Sequence, residues 1–408
     1  MRWLLCCTII LGLAAVGTCQ VEESMKAGPQ AKTDFFLSRI DSGGNIIWSK
    51  TYNNGFRSSC HTSTIVRDGM YVLVGWADSC TSRGFWMMVA DSNGNIVWDK
   101  CYVSESKESY AFPSTIFQQP DRDFVVAGDV GSGGRKAWLL GLSEQGDTLW
   151  SHSFDNVGDC CRAVPSSDGG IVLIGNIAVP NKQKDDPKNY DGWILKTDND
   201  GNEKWRQTYG DSLFDYFYDA AVLPDGRIIA VGESGHTDSI ESDGWVVIVD
   251  SVGNLIHNRI YGKTIGIRFW SIQAAPDGGF LLTGQTCPNK NYPCYGQRYL
   301  LMKISEDGDS LWSYQWEMTK EYDKNLRMFD DSEKPLGKYI DEIVRSDPPY
   351  HASGLLTMTN LWGITEQMGS TGYPGRISGR AGIYGNGYFF AGFYVHPMET
   401  DSTGRNQE

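Results

Sequence analysis

The sequence predicts an all-β fold built from a repeated four-stranded unit, and three observations carry that prediction. Apolar runs of about four to seven residues recur between Asp-Gly or Asn-Gly pairs, the pattern of short strands joined by tight turns. No stretch keeps the 3.6-residue rhythm of an amphipathic helix. One position, Trp in five copies and His in one, returns at 48, 98, 150, 205, 257 and 312, in steps of 50 to 55 residues.

Composition agrees. The 408 residues include 47 glycines, well above the ordinary level of roughly 7%, as a turn-rich chain requires. Aromatics make 12% and charged residues 21%, which excludes a disordered chain or a coiled coil. A net charge of −14 argues against a general nucleic-acid surface, so no nucleic-acid partner is expected. Six scattered histidines leave little for a zinc site, and neither metal nor cofactor is expected.

Each repeat divides into two halves. The second half reads Asp91-Ser-Asn-Gly-Asn95-Ile-Val-Trp98, Asp198-Asn-Asp-Gly-Asn202-Glu-Lys-Trp205 or Asp250-Ser-Val-Gly-Asn254-Leu-Ile-His257. The first half reads Ser167-Asp-Gly-Gly170 followed by Ile171–Gly175, or Pro276-Asp-Gly-Gly279 followed by Phe280–Gly284. Asp or Asn closes such turns through its side chain, and Gly supplies the positive φ. In the second repeat the strands are expected at 60–66, 71–74, 85–90 and 96–100, here called a, b, c and d. Six such units of about 50 residues are the sequence signature of a β-propeller. The chain opens on strands c and d (35–52) and closes on strands resembling a and b (382–395). Pairing them would complete a blade from both termini and remove open sheet edges. Six clear blades are expected, and residues 317–382 are irregular or a degenerate seventh, which leaves six against seven open.

Met1-Arg2 followed by an apolar run to Gly17 reads as an export signal, too short for a comfortable membrane span. Ala15-Val16-Gly17 suits an ordinary signal peptidase, while Val16-Gly17-Thr18-Cys19 is similar to a bacterial lipobox that would place a lipid on Cys19. Both routes stay open, so the protein is expected to be secreted or held at a membrane through an N-terminal lipid. The organisation is then a signal (1–19), a linker (20–33), the propeller (34–396) and a tail (397–408). Export favours disulfides. Cys287 with Cys294 is one candidate pair and Cys60 with Cys80 another; Cys160-Cys161 forms a vicinal bridge or pairs elsewhere.

The combination of Asp-Gly-Gly before one apolar strand and Asp-x-x-Gly-Asn-x-x-Trp after another resembles the repeat β-propellers of exported bacterial proteins. The resemblance covers roughly residues 33–316 and implies a fold and an exported location, not a function. Ser305–Trp312 is similar to a sialidase Asp box with its Gly one place early. Gly146–Trp150 is similar to quinoprotein repeats, which normally need eight blades.

Trp86, Trp138, Trp193 and Trp245 on strand c, and the Trp residues of strand d, are expected to pack between sheets. Asp198–Glu203 places oxygens at alternating positions as a cation loop does, but the same turn recurs without that acid count, so turn closure is the stronger reading. The d–a and b–c connections are long and dissimilar, which puts binding on their face. Arg57, Tyr110, Asp215, Tyr216, Tyr218, Arg268 and Trp270 lead into the innermost strands there and are the candidate ligand residues. The expected function is a binding module for a glycan or protein. The alternatives are a carbohydrate-active lyase or hydrolase using Asp129, Asp215, Asp219 or Glu233, and a purely structural surface protein.

Overall fold

Alternating side chains and Gly-containing turns fold as expected into antiparallel strands. A computed structural model describes residues 33–317 and 376–395, apart from residues 41–45, 54–57, 66–68, 79, 81–83, 104–110, 120–122, 132–135, 180–188, 211–213, 236–241, 263–264, 276, 288–297 and 385–386. The described residues contain 24 strands and no helix. Among the expectations, Cys19, Arg57, Tyr110, Cys294 and nearly all of the irregular segment lie outside the described residues.

The chain divides into two units. The first comprises residues 1–116 and 356–408. It holds β1 (Thr33–Ile40), β2 (Ile46–Tyr52), β3 (Ser58–Ile65), β4 (Tyr71–Ala77), β5 (Gly84–Ala90), β6 (Ile96–Tyr102), most of β7 (Ala111–Gln118), β23 (Arg376–Tyr384) and β24 (Gly387–Val395). Strands β3 to β6 form a sheet in chain order. The first two strands and the last two share another, in the order β2-β1-β24-β23, with Phe36 opposite Gly392. A sheet completed from both ends of the chain is what the half-repeats at the termini anticipated.

The second unit, residues 117–355, continues the pattern. Its first sheet contains β8 (Phe124–Val130), β9 (Lys136–Leu142) and β10 (Thr148–Phe154). Next come β11 (Asp159–Pro165), β12 (Ile171–Val179), β13 (Asn189–Thr197) and β14 (Glu203–Tyr209), then β15 (Phe214–Val222), β16 (Ile228–Gly235), β17 (Ser242–Val249) and β18 (Leu255–Tyr261). These two sets of four are joined by one parallel bridge, Tyr190 to Phe214, into a single eight-stranded sheet. The last set is β19 (Gly266–Ala274), β20 (Phe280–Cys287), β21 (Arg298–Ile304) and β22 (Ser310–Glu317).

The turns show why the motif has its spacing. Asp198 Oδ1 accepts the N–H groups of Asp200 (3.0 Å) and Asn202 (2.8 Å), while Asn202 Nδ2 donates to Oδ2 (2.9 Å). Asp91 and Asp250 close their turns with the same three bonds. The carboxylate therefore serves the turn, and among the described residues no group of acids, His or Cys is arranged to hold a metal.

Glycine in this turn has a second task. A Cβ on Gly253 (φ +89°) would come within 2.9 Å of the Trp205 ring, and one on Gly201 (φ +80°) within 2.7 Å of Trp150. The strand-d Trp of one sheet rests on the turn Gly of the next. Tyr209 Oη donates to the Gly253 carbonyl (2.7 Å) and Trp205 Nε1 to that of Ser251 (3.0 Å) in the same place. The 50-residue repeat is thus a contact between consecutive sheets as well as a copied strand pattern.

Strand-c Trp residues fill the core as expected, Trp138, Trp193 and Trp245 being at most 2% exposed. Trp138 Nε1 donates to Ser151 Oγ (2.9 Å), Trp245 Nε1 to Asn258 Oδ1 (2.7 Å) and, in the first unit, Trp86 Nε1 to Asp99 Oδ2 (3.0 Å), always 13 residues on.

The disulfide expectation needs one correction. Cys80 pairs with Cys101, not Cys60. Cys101 lies on β6 opposite Trp86, beside the start of β5, where the loop carrying Cys80 enters. Cys60 is a buried thiol on β3, at the opposite edge of the sheet; Cys160, on β11, is also a buried thiol, which rules out the vicinal bridge with Cys161. Cys287 is disulfide-bonded, and its expected partner Cys294 lies outside the described residues.

Candidate functional site

Strand a carries a β-bulge at one recurring position in four of the sets, those beginning with β3, β11, β15 and β19. In the second unit the register slips between Cys160 and Arg162, between Phe217 and Asp219, and between Phe269 and Ser271. The unmatched residues are Cys161, Tyr218 and Trp270. A bulge bends the strand and re-aims its side chain, and here it brings two candidate residues together. The Tyr218 and Trp270 ring centroids are 4.9 Å apart.

Around that pair the structure gathers a row of rings. Tyr216 lies parallel to Tyr218, 6.2 Å away at an interplanar angle of 3°. Phe214 follows at 6.0 Å from Tyr216, and Tyr190, from the start of β13, lies 5.3 Å from Tyr216 and 5.6 Å from Phe214. Phe214, Tyr216, Trp270 and Tyr190 are half-buried, whereas Tyr218 is buried. Strand alternation sets Phe214 and Tyr216 on one side of β15.

Arg268 and Glu233 complete the row. Arg268 Nε donates to Glu233 Oε2 at 2.6 Å, and Tyr218 Oη donates to Glu233 Oε1. The guanidinium carbon stands 5.1 Å from the Trp270 ring centroid, a cation–π arrangement. Burial disfavours the Arg268 cation, but the Glu233 carboxylate more than offsets this and holds its pKa above the ordinary arginine value.

This cluster interrupts a structural series. In two sheets of the second unit the residue after the strand-b glycine reaches strand a of the next sheet. Asp129 accepts the N–H of Cys160. Asn176 accepts the N–H of Phe217 (2.8 Å) and donates to its carbonyl (3.3 Å). Glu233 is next in the series and binds side chains, those of Tyr218 and Arg268.

The remaining candidates are placed elsewhere. Asp215 is 1% exposed on the other side of β15, where its carboxylate and that of Asp191 lie within 3 Å of the space a Cβ on Gly210 would take. Asp219 ion-pairs with Arg162 (3.0 Å) and accepts from Ser271 Oγ (2.7 Å) and the Ile272 N–H (3.1 Å). Phe217 and Phe269 belong to the core between sheets. The structure therefore brings together Tyr216, Tyr218, Arg268 and Trp270, on strands rather than in loops, and leaves Asp215 apart. Tyr190 and Phe214 escaped the sequence reading, although the i, i+2 spacing of Phe214, Tyr216 and Tyr218 was a visible signal. The long b–c connections lie largely outside the described residues.

No protein-family model matches this chain, and no curated protein does. Among solved structures it is similar to a protein of unknown function from Bacteroides caccae, at a TM-score of 0.41 and 11% identity over 70% of this chain and 94% of that one. It is also similar to Sqt1 of Chaetomium thermophilum bound to the N-terminus of ribosomal protein L10 (TM-score 0.41, 11% identity, 67% and 65% covered). A thermostable family-43 glycoside hydrolase gives a TM-score of 0.37 at 11% identity, with 67% and 98% covered. Similarity at this level does not extend to a function.

Proposed function

We propose that the four-stranded sets are the blades of a β-propeller, and that the protein is an exported binding module, secreted or tethered through a lipid on Cys19. Its ligand, a glycan or a protein, is held at the row formed by Tyr190, Phe214, Tyr216, Tyr218, Arg268 and Trp270. The propeller reading draws support from the repeated a–d order and from the sheet that joins the first strands to the last.

One observation carries the binding reading. Asp129 and Asn176 serve the backbone of the next sheet, whereas Glu233, third in that series, orders an arginine and a tyrosine beside half-buried rings. Departures from a structural rule concentrate at functional sites. Aromatic side chains with an arginine supply contact area at low entropic cost. Three of the four acids weighed for catalysis are engaged otherwise, Asp129 by a backbone N–H, Asp219 by an arginine, and Glu233 by an arginine and a tyrosine.

A glycan array and a pull-down with the wild type, Tyr216→Ala and Trp270→Ala test this. Capture is expected to fall in both variants while their melting curves stay cooperative. Undiminished capture by both would refute the site. Mass spectrometry of the mature N-terminus tests the anchor, because a thioether-linked lipid on Cys19 has its own mass.

A further inference from the structure

We infer that Arg162 receives an oxyanion, the carboxylate or phosphoryl group of a ligand, and does so independently of the aromatic row. Its place in the fold comes first. Strands β11, β15 and β19 each open a set of four and pack side by side in the second unit. The residues that follow their bulges are Arg162, Asp219 and Ser271. These three meet across the strands. Arg162 Nε lies 3.0 Å from Asp219 Oδ1, while Asp219 Oδ2 accepts from Ser271 Oγ (2.7 Å) and from the Ile272 N–H (3.1 Å).

The donors of Arg162 are unspent. A guanidinium carries five N–H groups in a rigid planar fork. Four other ion-paired arginines of the unit, Arg206, Arg227, Arg259 and Arg268, each give at least one of theirs to a protein acceptor. Arg162 gives none among the described residues. Its Nε–H is not aimed at Asp219 despite the short separation, so Nε is buried without a hydrogen bond and the carboxylate acts on it by charge alone. The terminal nitrogens are not buried, and the side chain keeps 27% of its surface open, so they can be reached from outside. Largely buried polar groups without partners are exceptions in folded proteins, and such exceptions gather where a ligand acts.

Asp219 balances the charge without consuming those donors. Ser271, the Ile272 N–H and the Ala220 N–H (2.9 Å) share its two oxygens, which spreads the negative charge and limits repulsion of an arriving anion. The ion pair also holds the guanidinium in place beforehand, which lowers the entropy lost on binding. An oxyanion suits the vacant donors because two of its oxygens can take two terminal N–H groups together, the paired geometry that guanidinium forms with carboxylate and phosphate. A single carbonyl or hydroxyl would meet one donor and leave the rest.

The test uses the full-length protein with isotope-labelled arginine, titrated with sodium acetate, sodium phosphate, acetamide or sodium chloride at constant ionic strength. The side-chain N–H signals of Arg162, identified by their loss in Arg162→Lys, report binding. A saturable shift is expected with acetate, phosphate or both, half complete at about 10 mM or below. Whichever anion saturates names the group the ligand carries. Chloride and uncharged acetamide should leave the signals in place. Melting temperature gives a second readout and should rise with the logarithm of the bound anion's concentration. Arg162→Lys keeps the charge but loses the fork, so the same rise should need about tenfold more anion. General salting-out would act on wild type and variant alike. Should Arg162→Lys fail to fold, Arg162→Gln carries the comparison. An unsaturated shift, a response to acetamide or chloride as large as to the oxyanions, equal melting shifts in wild type and variant, or no response to either oxyanion would overturn the inference. Tyr216 and Trp270 take no part in it, so the aromatic row stands or falls by its own test.

Discussion

Replacing Arg206 by Asn is expected to stabilise the second unit. Three of the four strand-c Trp residues, Trp86, Trp138 and Trp245, donate the indole N–H to the residue 13 positions on, which is Asp99, Ser151 or Asn258. For Trp193 that residue is Arg206, which has no acceptor, and Trp193 Nε1 is buried without a partner among the described residues. An unmet buried donor costs about 1–3 kcal/mol. Arg206 itself contributes an exposed pair with Glu203 and a bond to the Asp155 carbonyl (2.8 Å). Together these are worth about 1 kcal/mol or less. Arg206→Asn should therefore gain about 1 kcal/mol, and for a unit of this size the melting temperature should rise by about 2–4 °C. Scanning calorimetry reads the shift. The same change in a Trp193→Phe background, which has no N–H to satisfy, should give no gain, and the double-mutant cycle isolates the pair. Equal effects in the two backgrounds would refute the reasoning.

Other expectations concern turns and pH. Gly169→Ala meets nothing within 4 Å but keeps φ +85°, so it should cost about 1 kcal/mol. Gly253→Ala adds a collision with Trp205 and should cost about 3 kcal/mol, and denaturant titrations giving equal losses would contradict the sheet-to-sheet role of that Trp. Burial opposes ionisation of Asp168, yet bonds from Lys196, Ser166 and the Gly170 N–H hold its carboxyl well below the ordinary carboxylate value. A depressed carboxylate stabilises the fold at neutral pH, and that contribution fades as pH falls from about 4 toward the folded value. Lys196→Met should thus flatten the acid limb of melting temperature against pH, whereas parallel curves would assign the clamp no part in acid stability.

The aromatic row shows where reading a sequence stops. Tyr216, Tyr218, Arg268 and Trp270 stood out as aromatic and basic residues entering inner strands, but nothing local told Asp215 from its neighbours. Strand alternation sent Asp215 to the other side of β15, and the bulges turned Tyr218 toward Trp270. Glu233 was one of four acids in the catalytic alternative, and its bond to Arg268, 35 residues away, came only with the next sheet. The Cys80–Cys101 bridge was hidden for the same reason, since candidate pairs in a sequence carry no distances.

By itself the sequence determined the all-β class, the order of the strands, the turn chemistry and the buried strand-c tryptophans. Those follow from steric rules acting over a few residues and from a period that copies them. Only tertiary structure decided which sheets touch, where the register slips, and which charges and rings meet. Such contacts join residues tens of positions apart, and their geometry depends on every turn and bulge between them.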